Sequence, residues 1–253
     1  MIRPGLRRLL ATLVVLGPAL ALAAQAAAPE TTRIQIYGAT LEIPEPQGLV
    51  PLVNKDSHYY RFGARLQAQS KNRLFAYFLP PAEAAIADID QLPSPITWGI
   101  VYGVGPMMDR ALTVEQFQKE VIPDVERSVN AAASDPEVRK RLGEGTDASV
   151  AQLGRELKVD AGRLRMGEIT PLGTFSKHDE YATFGAATRI RIERGSEVME
   201  APVVTVIGFI VARQRMLCIA VYRLYRDEKD IQLARREADA WADAIVKANA
   251  ARP

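Results

Sequence analysis

Residues 203–222 read VVTVIGFIVARQRMLCIAVY, two apolar runs separated by Ala212-Arg213-Gln214-Arg215. Val203 to Val211 and Met216 to Tyr222 are too short for typical helices and rich in β-branched residues, so they read as strands. Both are apolar on successive positions, the pattern of a strand covered on both faces. The link between them has hairpin length. Together they predict a central antiparallel pair that needs a layer of structure above and below. Cys218 lies inside the second run. A reactive thiol needs a partly exposed, electropositive setting, so Cys218 reads as a small buried hydrophobe.

C-terminal to this pair, Ile231, Ala234, Ala238, Trp241, Ile245 and Ala248 recur every three or four residues, the apolar stripe of one long helix. Asp230 is its expected cap, and Trp241 is its largest anchor. The alanines elsewhere on the stripe allow close approach to a sheet. N-terminal to the pair, Tyr181 to Ile192 alternates with Ala182, Phe184, Ala186, Thr188, Ile190 and Ile192 on one face. Arg163 to Phe175 reads as a strand broken by Pro171 and Gly173.

Helical signals occupy the middle of the chain. Thr113-x-x-Gln116 fits a capping box, and Val114, Phe117, Val121, Val125 and Val129 fall near one stripe. Pro123 predicts a kink or two helices. Ser134-Asp135-Pro136-Glu137 predicts a further helix start, so the helical segment spans about 113–160, its latter part read as a loop with a short helix. Before it, strands are expected at Arg33 to Ile43 (two, joined at Tyr37-Gly38), His58 to Ala68, Leu74 to Leu79 and Ile96 to Val104, with a short helix over Ala82 to Ala87. In the His58 segment the alternation puts His58, Tyr60, Phe62, Ala64, Leu66 and Ala68 on one face and Arg61 and Arg65 on the other.

The expected fold class is therefore α+β: a mainly antiparallel sheet covered by a central helical segment and a C-terminal helix. The segment Gly38-Ala39-Thr40-Leu41-Glu42-Ile43-Pro44, and the two apolar strands and long helix over Val203 to Asn249, resemble in order the small exported domains of the PsbP/DcrB type. That resemblance implies a sandwich of this class and an accessory role without catalytic activity.

Of the 253 residues, 48% are hydrophobic and 25% charged, with one cysteine, which excludes both a disordered chain and an intrachain disulfide scaffold. Arg3, Arg7 and Arg8 precede an apolar run from Leu9 to Ala24 interrupted by Pro18, followed by Ala24-Gln25-Ala26. This is the layout of a cleaved signal peptide, with cleavage after Ala26 or Ala28. The expected organisation is a signal at 1–26 and a single α+β domain at 27–253 located in the periplasm. An uncleaved anchor in the inner membrane is the alternative. No cysteine near the cleavage site is available for lipid attachment. Cleavage after Ala26 removes three arginines and no acid, so the formal balance moves from +2 to −1. The basic character of the whole chain belongs to its leader.

No G-x-S-x-G, H-E-x-x-H, C-x-x-C, S-x-x-K or P-loop occurs, and Gly103-Val104-Gly105 lacks the third glycine of a dinucleotide fingerprint, Met108 standing there. His58 and His178 are the only histidines. His178-Asp179-Glu180 is the densest titratable cluster beside one of them, so a loop acid–base or metal-assisted site of a hydrolase would use these three, with His58 if the fold brought it close. Arg61, Arg65, Arg189 and Arg191 share polar strand phases and would form one basic sheet face for an anionic lipid surface or an acidic envelope protein. Tyr59, Tyr60, Arg61, Phe62, Arg65, Lys71 and Arg73 interleave rings and bases as a nucleic-acid platform does, but export and the near-neutral mature charge exclude nucleic acid. The reading that results is an exported accessory or binding protein with no catalytic activity, cofactor or metal. A hydrolase or metalloenzyme around His178 and a membrane-retained envelope protein are the alternatives.

Overall fold

A computed structural model of the chain describes residues 30–91, 93–134, 155, 163–194 and 197–250. A hairpin of β1 (Thr31–Ile36) and β2 (Ala39–Pro44) comes first, followed by β3 (Val50–Pro51), α1 (His58–Gln69), β4 (Arg73–Leu79), α2 (Pro81–Asp88) and β5 (Thr97–Gly103). A helical stretch runs through α3 (Val114–Gln116), a π-helical turn at Phe117–Val121, and α4 (Ile122–Ser134). The chain closes with β6 (Arg163–Lys177), β7 (Tyr181–Arg194), β8 (Glu197–Ala212), β9 (Arg215–Leu224) and α5 (Glu228–Asn249). The strands form a two-stranded sheet, β1-β2, and a seven-stranded sheet in the order β3-β4-β5-β9-β8-β7-β6, whose neighbours pair antiparallel. The protein is α+β.

The two apolar runs are the centre of this sheet. β8 pairs with β9 from Val203↔Leu224 to Ala212↔Arg215. Alternate side chains point to opposite faces. Leu217, Ile219 and Val221 join Val204, Val206 and Ile210 beneath α5 and the β1–β2 hairpin, together with Phe78 and Val101. On the other face, Cys218 and Ala220 pack in the layer that α1 and α2 cover. Met216 and Val211 pack against Leu112, Phe117, Val121 and Ile122 of the α3–α4 stretch. Both faces are thus covered, as the apolar runs require.

The α5 stripe buries Ala234, Ala238, Trp241, Ala242 and Ile245. Trp241 meets Phe78 edge to face with ring centroids 5.2 Å apart, and its Nε1 donates to the Pro44 carbonyl at 2.8 Å. Removing a side chain this large and buried costs about 3–5 kcal/mol. A Cβ at Gly99 would lie 3.1 Å from the Trp241 ring, so glycine there lets the indole approach β5 closely.

Asp227, and not Asp230, caps α5; its side chain accepts from the Lys229 N–H. Asp230 is fully buried, because its carboxylate takes Arg223 Nε at 2.9 Å, Arg226 Nη2 at 2.9 Å and the Arg226 backbone N–H at 3.0 Å. Arg223 also donates to Glu237 at 3.0 Å. This cluster ties β9 to the first turn of the helix that follows it.

His58 to Ala68 is helical, not a strand. Ser57 caps α1, its Oγ accepting from the Tyr60 N–H. Tyr60 and Gly63 are buried one turn apart. A Cβ at Gly63 would lie 2.9 Å from the Tyr77 ring, so the helix rests directly on β4. The alternation of small and apolar residues here fits a 3.6 period as well as a period of two. Packing on β4 and the cap decide for the helix.

The Thr113–Gln116 capping box forms in both directions. The π-helical turn ends where the Ile122 N–H reaches the Phe117 carbonyl. It sits directly before Pro123, which has no N–H to offer an ordinary α-helical ladder. Ser134 is the last described residue of α4, and the further helix start expected at 135–137 lies outside the described residues. So do the expected leader and its expected cleavage site. β6 runs on through Pro171 and Gly173 with shifts of register there instead of breaking.

The buried ion cluster sets an acid limit on stability. Hydrogen bonds from Arg226 and Arg223 hold the Asp230 carboxyl well below the usual carboxylate range. A depressed carboxylate stabilises the fold above its unfolded pKa, near 3.9, and loses that contribution as the pH falls through the folded value. Asp230→Asn leaves Arg223 without its buried partner and is expected to cost about 3 kcal/mol at neutral pH. Its denaturant midpoint should fall less steeply than that of the wild type below about pH 4. Parallel acid profiles for the two proteins would contradict this.

Candidate functional site

At one end of the large sheet the β6–β7 and β8–β9 turns lie side by side. The Val211 N–H donates to the Glu180 carbonyl at 2.8 Å, and the Leu112 N–H donates to the Gln214 carbonyl at 3.0 Å. The first bond joins the two turns; the second brings in the start of α3 from one face of the sheet. From the other face comes the end of α5. There the Glu42 N–H donates to Asn249 Oδ1 at 2.9 Å, and Asn249 Nδ2 donates to the Glu42 carbonyl at 2.6 Å. These elements enclose a cleft of about 710 Å3. Its lining is mostly aliphatic, with Leu112, Val114, Val211 and Val246 beside Glu180, Arg213 and Gln214.

Each polar group has a definable state. The Asn249 amide is spent on Glu42 and on the Ile245 carbonyl. Arg213 Nη1 donates to the Thr40 carbonyl at 3.0 Å, and Arg215 Nη2 donates to the Tyr37 carbonyl at 3.1 Å. The β8–β9 turn thereby holds the tip of the β1–β2 hairpin. Glu180 is half-buried, and its carboxylate has no hydrogen bond or ion pair among the described residues. Arg213 and Gln214 have φ of +47° and +57°. A two-residue hairpin turn of this shape favours Asn-Gly. Here it carries a long cation and an amide at a backbone cost of roughly 1–2 kcal/mol per residue, and both side chains line the cleft.

The candidate residues from the sequence separate. His178, Asp179 and Glu180 form the β6–β7 turn beside the cleft, where Gln118 Nε2 donates to the carbonyls of His178 and Asp179 at 2.7 and 2.9 Å. Of the three, Glu180 lines the cleft. The His178 ring is exposed and stacks on Tyr181 with centroids 4.4 Å apart. His58 stands at the start of α1, which packs on β4 near the opposite edge of the sheet, so the two histidines are not brought together. Its Nδ1 is 2.7 Å from Asp90 Oδ1 but off the line of a straight hydrogen bond; the His58 backbone N–H makes the aligned bond to the same oxygen at 2.7 Å. That N–H, followed by the ring, holds the Asp90 carboxyl below its ordinary value. Among the described residues no group of three or more His, Cys, Asp and Glu could hold a metal ion.

The basic sheet face does not form. Arg61 and Arg65 are on helix α1, which packs on β4, while Arg189 and Arg191 are on β7, with three strands between β4 and β7. Arg189 and Arg191 approach Glu200 at 3.6 and 3.7 Å, which neutralises part of their charge. The four arginines share one face only if residues 58–68 are a strand, and those residues are helical. Arg213 and Gln214, a hairpin link by length alone, are the cleft residues that the sequence marks least. The signal was present: a hairpin turn without glycine or asparagine.

No protein-family model matches the chain, and no curated protein does either. Among solved structures, a Pseudomonas aeruginosa protein of unknown function, PA94, is 12% identical and aligns over 88% of this chain and 98% of its own, with a TM-score of 0.25. The Ran-binding protein Mog1p of Saccharomyces cerevisiae is 10% identical over 87% and 90% of the two chains, with a TM-score of 0.26. Both likenesses are too slight to carry an argument about function, and neither bears on the PsbP/DcrB resemblance.

Cys218 is fully buried in β9, where desolvation pushes its thiol far above the ordinary range. The thiolate is the reactive form. A thiol reagent added to the native protein at pH 8 should therefore modify Cys218 only as fast as the chain unfolds, and at once in denaturant. Prompt stoichiometric labelling of the folded protein would contradict this burial.

Proposed function

We propose that the protein is an exported, non-catalytic accessory or binding protein of the periplasm, and that the cleft at the end of the sheet is its ligand site. The observation that carries this reading is the cleft itself: about 710 Å3 of mainly aliphatic lining with a few polar groups at its rim. Small-molecule sites have this size, roughly 300–1,000 Å3, and this composition. The leader-like N-terminus supports export, and the resemblance of the sequence to PsbP/DcrB-type domains implies an accessory role. A hydrolytic reading centred on His178 has less behind it. Its ring stacks on Tyr181, and the only other histidine, His58, lies near the opposite edge of the sheet.

The test uses mature protein recovered from the periplasmic fraction, with its N-terminus read by mass. Anilinonaphthalenesulfonate fluorescence then reports the cleft. Val114 and Val246 line it; Val114 is 39% exposed, so a carboxylate there leaves the core intact, while Val246 also touches the core and its variant is checked for folding by circular dichroism. Val114→Glu and Val246→Glu should each weaken dye binding about tenfold or more, because an aliphatic contact is replaced by a charge. Unchanged dye binding in both variants, with unchanged circular dichroism, would reject the cleft as the site.

A further inference from the structure

We infer that the cleft takes a short apolar peptide with free termini, its ammonium group beside Glu180 and its carboxylate beside Arg213. This rests on the cleft being the ligand site and adds the class of ligand.

The argument is one of charge complementarity. Glu180 and Arg213 both line the cleft. The Glu180 carboxylate has no partner among the described residues. Arg213 gives one guanidinium nitrogen to a neutral carbonyl, that of Thr40, and makes no ion pair there. The two do not pair with each other. Charges on the flanking helices are matched within their own surfaces: Glu115 with Lys119 at 2.7 Å, Arg110 with Glu120 at 2.6 Å, and Asp243 with Lys247 at 2.6 Å. Among the residues lining the cleft, the unspent charges are therefore one of each sign; Arg215, at the end of the same turn, lies outside the lining. Glu180 is half-buried and Arg213 exposed, so the carboxylate gains most from a partner of opposite sign and the guanidinium adds a second, more solvated charge. A ligand with one charged end would satisfy one group and leave the other open. A ligand carrying an ammonium and a carboxylate satisfies both.

The remaining lining selects the body of that ligand. The aliphatic walls accept apolar side chains, and the Gln214 amide, which has no hydrogen-bond partner among the described residues, offers a donor and an acceptor to a peptide bond. A single-chain lipid with a zwitterionic head carries the same charges, but no peptide groups for Gln214.

Calorimetry of the mature protein with trileucine, N-acetyl-trileucine and trileucine amide tests the inference, using the wild type, Glu180→Gln and Arg213→Gln. Trileucine is expected to bind at one site. Acetylation and Glu180→Gln should each weaken it about tenfold or more, the value of a hydrogen bond between charged groups. Glu180→Gln should then no longer distinguish free from acetylated peptide. Amidation and Arg213→Gln should behave as a second such pair with a smaller loss, about two- to fivefold, because Arg213 is exposed. The blocked peptides probe the wild type itself, so the answer does not depend on either variant folding. Equal affinity for all three peptides would overturn the inference. So would failure of trileucine to bind a protein that still binds anilinonaphthalenesulfonate in the cleft, an outcome that leaves the cleft standing as a site. Binding of lysophosphatidylethanolamine, but not trileucine, with the same sensitivity to both variants would overturn it in favour of lipid. Loss of dye and peptide together would reject both the site and its ligand.

Discussion

Burial of both faces of the β8–β9 ribbon is the constraint on which the rest of the structure depends. Val204, Val206, Ile210, Leu217, Ile219 and Val221 fill one face, and Val211, Met216, Cys218 and Ala220 fill the other. Each buried aliphatic side chain of this size is worth about 1.5–3 kcal/mol. An exposed ion pair such as Glu115–Lys119 is worth about 0–1 kcal/mol. The ribbon therefore dictates that structure be placed above and below it, and the surface charges only decorate the result. Its edges are satisfied by β5 on one side and β7 on the other.

The two covering layers are fastened differently. Above the ribbon, α5 approaches closely on alanines and is locked at three places. Asp230 bonds Arg223 at its start, Trp241 bonds the Pro44 carbonyl in its middle, and Asn249 bonds Glu42 at its end. Asp239 adds a link to the outer strands, accepting from Ser176 and Thr183 at 2.6 Å each. Below the ribbon, the α3–α4 stretch begins at a capping box and bends through a π-helical turn ahead of Pro123. The end of the upper helix and the start of the lower one arrive at the same edge of the sheet, where two turns already meet. The cleft is the space left between layers that each had to cover the ribbon.

The parts legible from sequence were those with one dominant period or one strong local signal. The β8–β9 runs, the α5 stripe, the Thr113 capping box and the Tyr37-Gly38 hairpin are of this kind. Residues 58–68 were not legible, because tyrosines, alanines, a glycine and a leucine satisfied two periods at once. The contact that decides between them, Gly63 on Tyr77, lies across a turn and a strand. Asp230 was misjudged for a related reason. As an acid at a helix start it fits a cap, but two arginines that fold back from β9 and the loop draw it inward. Of the candidate cluster, Glu180 was legible as a charged turn residue. Arg213, the other charged residue of the cleft lining, was hidden, since only the meeting of two distant turns puts it and Glu180 on one cleft.

The most direct test of the cleft as the ligand site is a map of amide chemical shifts in the mature protein during titration with anilinonaphthalenesulfonate. The account predicts that the saturating shifts include Val114, Glu180, Gln214 and Val246, from four separate elements that meet only at this cleft, while α1 and the outer ends of β7 and β8 stay still. Shifts centred on α1, α2 or the distal strands, with those four amides unmoved, would contradict it.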